Sequence, residues 1–159
     1  MGQRSKARVC AMQMLYQREW SNESPSRVIE DFWTMRNGTP AVRSLSERLF
    51  LGTEREREAI DADLTSVMTN WELPRLAAIE RNVLRLGAYE LKCESATPAA
   101  VIIDEAIEIS KRYGEADSSS FVNGILDALK KRYRDGARGA ANDRSRQGRD
   151  GGTEGSGRA

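Results

Sequence analysis

The sequence predicts an all-α protein, and three observations carry that reading. Apolar residues recur at helical spacing through most of the chain up to Tyr133. No segment alternates as a strand would. Each of the four prolines stands at the start of a helical run and none inside one.

Seven helices follow. The first covers Arg4 to Trp20, with Val9, Met12, Tyr16 and Trp20 along one stripe that is expected to be buried. The second runs from Pro25 to Met35 and the third from Pro40 to Thr53. Ser24 and Thr39 stand directly before those prolines, a cap-then-proline opening. The fourth, Glu56 to Asn70, places Ile60, Leu64, Val67 and Met68 on one side, with Trp71 following. The fifth starts at Pro74, behind the poor cap Leu73, and reaches Lys92 through Leu76, Ile79, Val83, Leu84 and Leu91. The sixth, Pro98 to Tyr113, is capped by Thr97 on the same logic and uses Ile102, Ile103, Ala106 and Ile107.

The seventh helix, "SSSFVNGILDALKKRY", Ser118 to Tyr133, contains an Asn-Gly pair that ordinarily marks a hairpin. Phe121, Val122, Ile125, Leu126 and Leu129 nevertheless share one helical face, which a turn at Asn123-Gly124 would break. Glycine inside a helix costs about 1 kcal/mol against alanine. Gly124 is therefore expected to be a packing notch admitting a close neighbour, with Asn123 bonding across a subdomain boundary and Ser118 to Ser120 supplying caps.

From Arg134 the composition changes. "RDGARGAANDRSRQGRDGGTEGSGRA" holds seven of the thirteen glycines and no large apolar residue, so residues 134–159 read as a disordered, solubilising tail. Its removal after Tyr133 is expected to leave stability almost unchanged.

Composition excludes more than it identifies. Charged residues make up 31%, yet the net charge is only +1, so nucleic-acid binding would have to come from a local patch. Histidine is absent, which removes the commonest general base and histidine metal sites. There is no P-loop or GxGxxG, and no enzymatic activity is expected. Cys10 and Cys93 form no metal or disulfide pattern. No apolar run approaches about 18 residues, and no signal-peptide core is seen. The chain reads as cytoplasmic, with no membrane partner, metal or cofactor.

Three stretches could carry function. "RSKARVCAMQMLYQREW" opens with Arg4, Lys6 and Arg8 and has no acid before Glu19. It suits a phosphate-binding arm, although a solvated helix end has the same pattern and is the commoner reason for it. "RLAAIERNVLRLGAYEL" reads as a core helix whose Glu80, Arg81, Arg85 and Glu90 make surface ion pairs of small worth, or else as a docking face. "DEAIEIS" clusters Asp104, Glu105 and Glu108, most simply a solvated face beside Lys111 and Arg112.

Taken together, the basic start with "ARVCAMQMLYQ", then "NWELPRLAAIERNVLRLGAYEL" and "PAAVIIDEAIEISKRYGEADSSSFVNGILD", resemble the bacterial NusB family of transcription antitermination factors. The likeness covers Arg4 to Tyr133. It implies a NusB-like domain over 1–133, built of two packed helical bundles, about 4–72 and 73–133. It implies binding of boxA-type single-stranded RNA together with NusE, a small-subunit ribosomal protein. The implied outcome is processive transcription by the RNA polymerase antitermination complex, notably of ribosomal RNA operons. The resemblance places Arg4, Lys6 and Arg8 on RNA with Tyr16 as a neighbour, Asp117 close to the RNA surface, and Glu80 on the partner face. Ser5 stands where a relative can carry another arginine, which thins the arm. Two other readings stay open: an RNA-binding module like those preceding ribosomal RNA cytosine methyltransferase domains, and a protein-interaction scaffold without RNA contact. A homodimer that hides the arm is also left open.

Overall fold

The computed structural model describes residues 2–135. Seven α-helices make up the fold: α1 (Gln3–Trp20), α2 (Pro25–Thr34), α3 (Pro40–Arg55), α4 (Arg57–Val67), α5 (Ala78–Cys93), α6 (Ala99–Tyr113) and α7 (Ser118–Lys130). A 3-10 turn, Leu73–Arg75, precedes α5, and a π-helical turn, Lys131–Asp135, continues α7. Most of the expected tail lies outside the described residues.

The cap-then-proline openings hold for two helices. Ser24 Oγ accepts from the Arg27 amide at 3.3 Å, and Thr39 Oγ1 accepts from the Val42 amide at 3.2 Å. Thr97 does not cap. Its amide donates to the Glu94 carbonyl in the turn after α5, and Pro98 itself is the last residue before α6. Pro74 opens only the 3-10 turn, so α5 begins four residues later than expected, at Ala78. Ser118 is the first, buried residue of α7, and no side chain caps that helix.

α1 packs on α2, α3 and α5, and α6 and α7 pack on each other and on α5. α5 is accordingly buried from Asn82 to Leu91 on all sides. One continuous core runs from Val9 to Leu129, crossing the expected division at 72–73. Two glycines let α5 approach its neighbours. Gly52 of α3 faces the Tyr89 ring, and a β-carbon at Gly87 of α5 would stand 2.8 Å from Leu126 Cδ1 of α7.

The notch expected in α7 is therefore on the opposite helix. A β-carbon at Gly124 would meet nothing within 4 Å, and Asn123 and Gly124 are exposed. Periodicity found the buried face of α7 but could not tell which helix was indented. Gly87→Leu should destabilise the protein by roughly 1–3 kcal/mol, since Leu126 is fully enclosed and cannot retreat. Gly124→Ala should stabilise it by up to about 1 kcal/mol. Urea midpoints of the two variants check this, and shifts of equal sign would contradict it.

The charges of α5 are not the surface pairs expected of them. Arg85 and Glu90 are buried, and Arg81 is largely covered. Arg81 and Arg85 converge on Glu19 of α1, each with a contact of 2.7 Å, and Arg85 also grips Asp61 of α4 at 2.8 and 3.0 Å. Arg81 Nη1 further donates to the Leu76 carbonyl at 2.7 Å, pinning the segment before α5. These charges join three helices.

Arg134, assigned to the tail by composition, belongs to the fold. Its guanidinium donates to the carbonyls of Leu91 (3.0 Å), Thr97 (2.6 Å), Glu94 (3.1 Å) and Glu90 (3.3 Å). It closes the C-terminal end of α5, where helix carbonyls otherwise lack partners. Truncation after Tyr133 would open that end, contrary to the expectation of a neutral cut.

Candidate nucleic-acid interface

α1 starts at Gln3 with no side-chain cap and no acid in its first turn. Arg4 and Lys6 are exposed there, at the helix end where the dipole disfavours cations and favours anions. The rest of the arm turns inward. Ser5 Oγ donates to Glu105 Oε1 of α6 at 2.7 Å. Arg8 is only 4% exposed and donates through Nε to both Glu90 oxygens, at 3.0 and 3.1 Å. Burial pushes the Glu90 carboxyl up to about 6, with Arg8 opposing the rise. The expected phosphate contact of Arg8 does not fit this geometry, because its guanidinium is already engaged in the interior. The outward charge of the arm reduces to Arg4 and Lys6.

The apolar stripe of α1 also departs from expectation. Val9 and Met12 are buried, but Tyr16 is 39% and Trp20 73% exposed. Each step of four residues overshoots a full helical turn by roughly 40°. A stripe followed from Met12 in fours therefore rotates off the core by Trp20. The core side of α1 is instead Ala7, Arg8, Val9, Ala11, Met12, Met14 and Leu15. The Tyr16 and Trp20 rings lie 6.1 Å apart and line an open groove with Arg36, Ile79 and Tyr113.

A second groove lies across the start of α5. Three carboxylates, Glu80, Glu115 and Asp117, line it against one cation, Arg75, which pairs with Glu72 at 3.2 Å, together with Trp71, Leu76 and Phe121. Trp71 is 59% exposed and meets the Phe121 ring edge-on at 5.7 Å. Burial pushes the Glu80 carboxyl up, a hydrogen bond from Ser118 pulls it part of the way back, and Glu115 adds to the rise. Asp117 thus shares a groove with Glu80, whereas the resemblance implied an RNA-side position for the first and a partner-side position for the second. A carboxylate only accepts hydrogen bonds, so Asp117 can meet RNA through base amino groups or ribose hydroxyls but not through phosphates.

The two grooves are neighbours. Ile79 lines the first and Glu80 the second. Tyr113 lines the first, and Glu115 to Asp117, in the link from α6 to α7, line the second. Sequence periodicity could not show this, because the adjacency depends on how α1, α5 and the α6–α7 link meet.

The fold and these surfaces define a class: an all-helical protein with an exposed basic helix start and two adjoining grooves, one aromatic and the other acidic. The family model for NusB matches residues 5–131, and the chain belongs to the NusB family. The transcription antitermination protein NusB of Sorangium cellulosum is 43% identical over 129 residues, covering 81% of this chain and 92% of that protein. The structure of T. maritima NusB superposes with a TM-score of 0.73 at 37% identity, over 80% of this chain and 90% of that one. A crystal structure of the antitermination factors NusB and NusE in complex with dsRNA contains a chain 27% identical to this one. Its TM-score is 0.73, and the match covers 84% of this chain and 99% of that one.

Proposed function

We propose that this chain is a transcription antitermination factor that acts in the cytoplasm. It binds boxA-type RNA together with NusE and promotes processive transcription, notably of ribosomal RNA operons. The observation that carries this reading is the adjacency of two surfaces of opposite character at the start of α5. Glu80, Glu115 and Asp117 suit a basic protein partner seated on Trp71 and Phe121. Arg4 and Lys6, with Tyr16 further along α1, suit a phosphate backbone and its bases. A partner in one groove and RNA in the other would then lie side by side.

The test is a salt-dependent titration of boxA RNA with and without NusE. Glu80→Lys should weaken association with NusE and leave helix content intact, because a charge at a partner-facing rim tunes encounter more than folding. Changing Arg4 and Lys6 to glutamine should lower the slope of log affinity against log salt by up to roughly 1.4 units, about 0.7 for each lost phosphate contact. RNA binding that ignores both arm substitutions, with NusE binding intact, would leave a protein-interaction scaffold as the better reading.

A further inference from the structure

The first turn of α1 has little of its own to hold it. Gly2 precedes it without a side-chain cap, and the dipole opposes cations at a helix start. Such an end frays unless something outside the helix secures it. Two other helices supply that hold. Ser5 and Arg8, three residues apart, share one face of α1. Ser5 Oγ donates to Glu105 Oε1 of α6 at 2.7 Å, and Arg8 is gripped by Glu90 of α5. The two carboxylates lie near each other, since Glu105 contributes to the raised Glu90 carboxyl. α1 packs on α2, α3 and α5, and a groove lies between it and α6, lined by Ser5, Val9, Glu105, Glu108, Ile109 and Arg112. Glu108 pairs with Lys111 of its own helix at 3.8 Å, whereas Glu105 reaches across to α1.

We propose that Glu105 is a positioning residue: through Ser5 it holds the first turn of α1 so that Arg4 and Lys6 are presented together to a phosphate backbone. Glu105 itself touches no RNA in this arrangement. The proposal rests on the RNA-binding reading above and deepens it, from which side chains meet phosphate to what aims them. Successive residues stand roughly 100° apart around a helix. With Ser5 turned onto α6, Arg4 and Lys6 fall on its two flanks, and both are exposed. A preformed arm binds without first having to order its helix end. Losing that order weakens binding although no phosphate contact is removed. Ser5 thins the charge of the arm and at the same time anchors it. Local pattern could not show this, because the bond joins positions 100 residues apart.

The test uses the full chain with NusE and a boxA RNA strand. Ser5→Ala and Glu105→Ala each break the bond and should weaken RNA binding by roughly 3- to 10-fold. Helix propensity and charge alone predict the reverse, since alanine is the better helix former and an acid beside the arm repels phosphate. Ser5→Thr keeps the hydroxyl and Glu105→Gln keeps an acceptor oxygen, so each should lose no more than about 2-fold. The double alanine variant should lose no more than either single one. The salt slope should stay as in the parent throughout, because Arg4 and Lys6 remain. Amide exchange reads the bond without RNA. The Lys6 amide, bonded to the Gly2 carbonyl at 3.0 Å, should exchange faster in the two single alanine variants only. Ser5 and Glu105 are half-buried and outside the core, so urea midpoints should hold. If Glu105→Ala bound as Glu105→Gln does, or Ser5→Ala as the parent, the positioning role would be overturned. Continued loss of affinity in Arg4→Gln would then leave the RNA reading standing. A parent protein that bound no RNA with NusE present would overturn both.

Discussion

Glu19→Ala should cost the fold about 3–5 kcal/mol, among the largest effects of any single substitution. Glu19 is the meeting point of Arg81 and Arg85, and all three side chains are at most 14% exposed. Its loss leaves Arg85 with Asp61 as its ion-pair partner and the Asn82 side chain as a neutral acceptor, and leaves Arg81 with backbone carbonyls but no ion-pair partner. Breaking a buried pair from one side is far costlier than never building it, because the remaining charge stays desolvated. Burial by itself would raise the Glu19 carboxyl, but the two arginines outweigh it and hold the group below its ordinary value. A depressed folded pKa contributes stability that is present above the unfolded value and lost as pH falls through the folded one. The difference between parent and variant should therefore be full at neutral pH and shrink in acid. Urea denaturation across that range measures it, and a neutral-pH difference below about 1 kcal/mol would mean that solvent reaches the network and screens it.

Arg8→Met should also cost about 3–5 kcal/mol near pH 8, but with the opposite dependence on pH. It leaves Glu90 buried beneath α1 with its counter-ion gone. With Arg8 in place the Glu90 carboxyl already stands at about 6, against an ordinary 4.5. Removing the arginine can only move it further upward. A raised folded pKa contributes stability that is full below the unfolded value and lost as pH rises through the folded one. In the parent that window runs from about 4.5 to about 6. In the variant it extends higher, so the deficit at pH 8 should largely close towards pH 5. A deficit that stayed constant across pH would show that lost packing, and not the stranded carboxylate, sets the cost. RNA binding supplies an independent check, because an inward-facing Arg8 should leave the salt slope unchanged where Arg4 and Lys6 do not.

What the sequence made legible was local. Helical periodicity located all seven helices, and Ser24 and Thr39 marked two starts through hydrogen bonds that form within one turn. What it left hidden depends on contacts between distant segments. Arg81, Arg85 and Glu90 look like the polar side of an amphipathic helix until α1 and α4 close over them. Arg8 differs from Arg4 by a single turn, yet α5 covers one and solvent the other. Tyr16 and Trp20 continue the apolar pattern of α1 while the helix rotates them off the core. The candidate site suffered most, since Glu80 and Asp117 share a groove only because the α6–α7 link passes the start of α5.

The Arg134 clasp bears on how the chain is made. Synthesis delivers residues in order, and α5 emerges some forty residues before the guanidinium that covers its final carbonyls. Until that side chain leaves the ribosome, the end of α5 and the bend into α6 are held by water. The last stitch of the fold is thus sewn after every helix has already been translated. A domain cut at the end of the family match, residue 131, would carry all seven α-helices and lack the π-helical turn that holds the stitch.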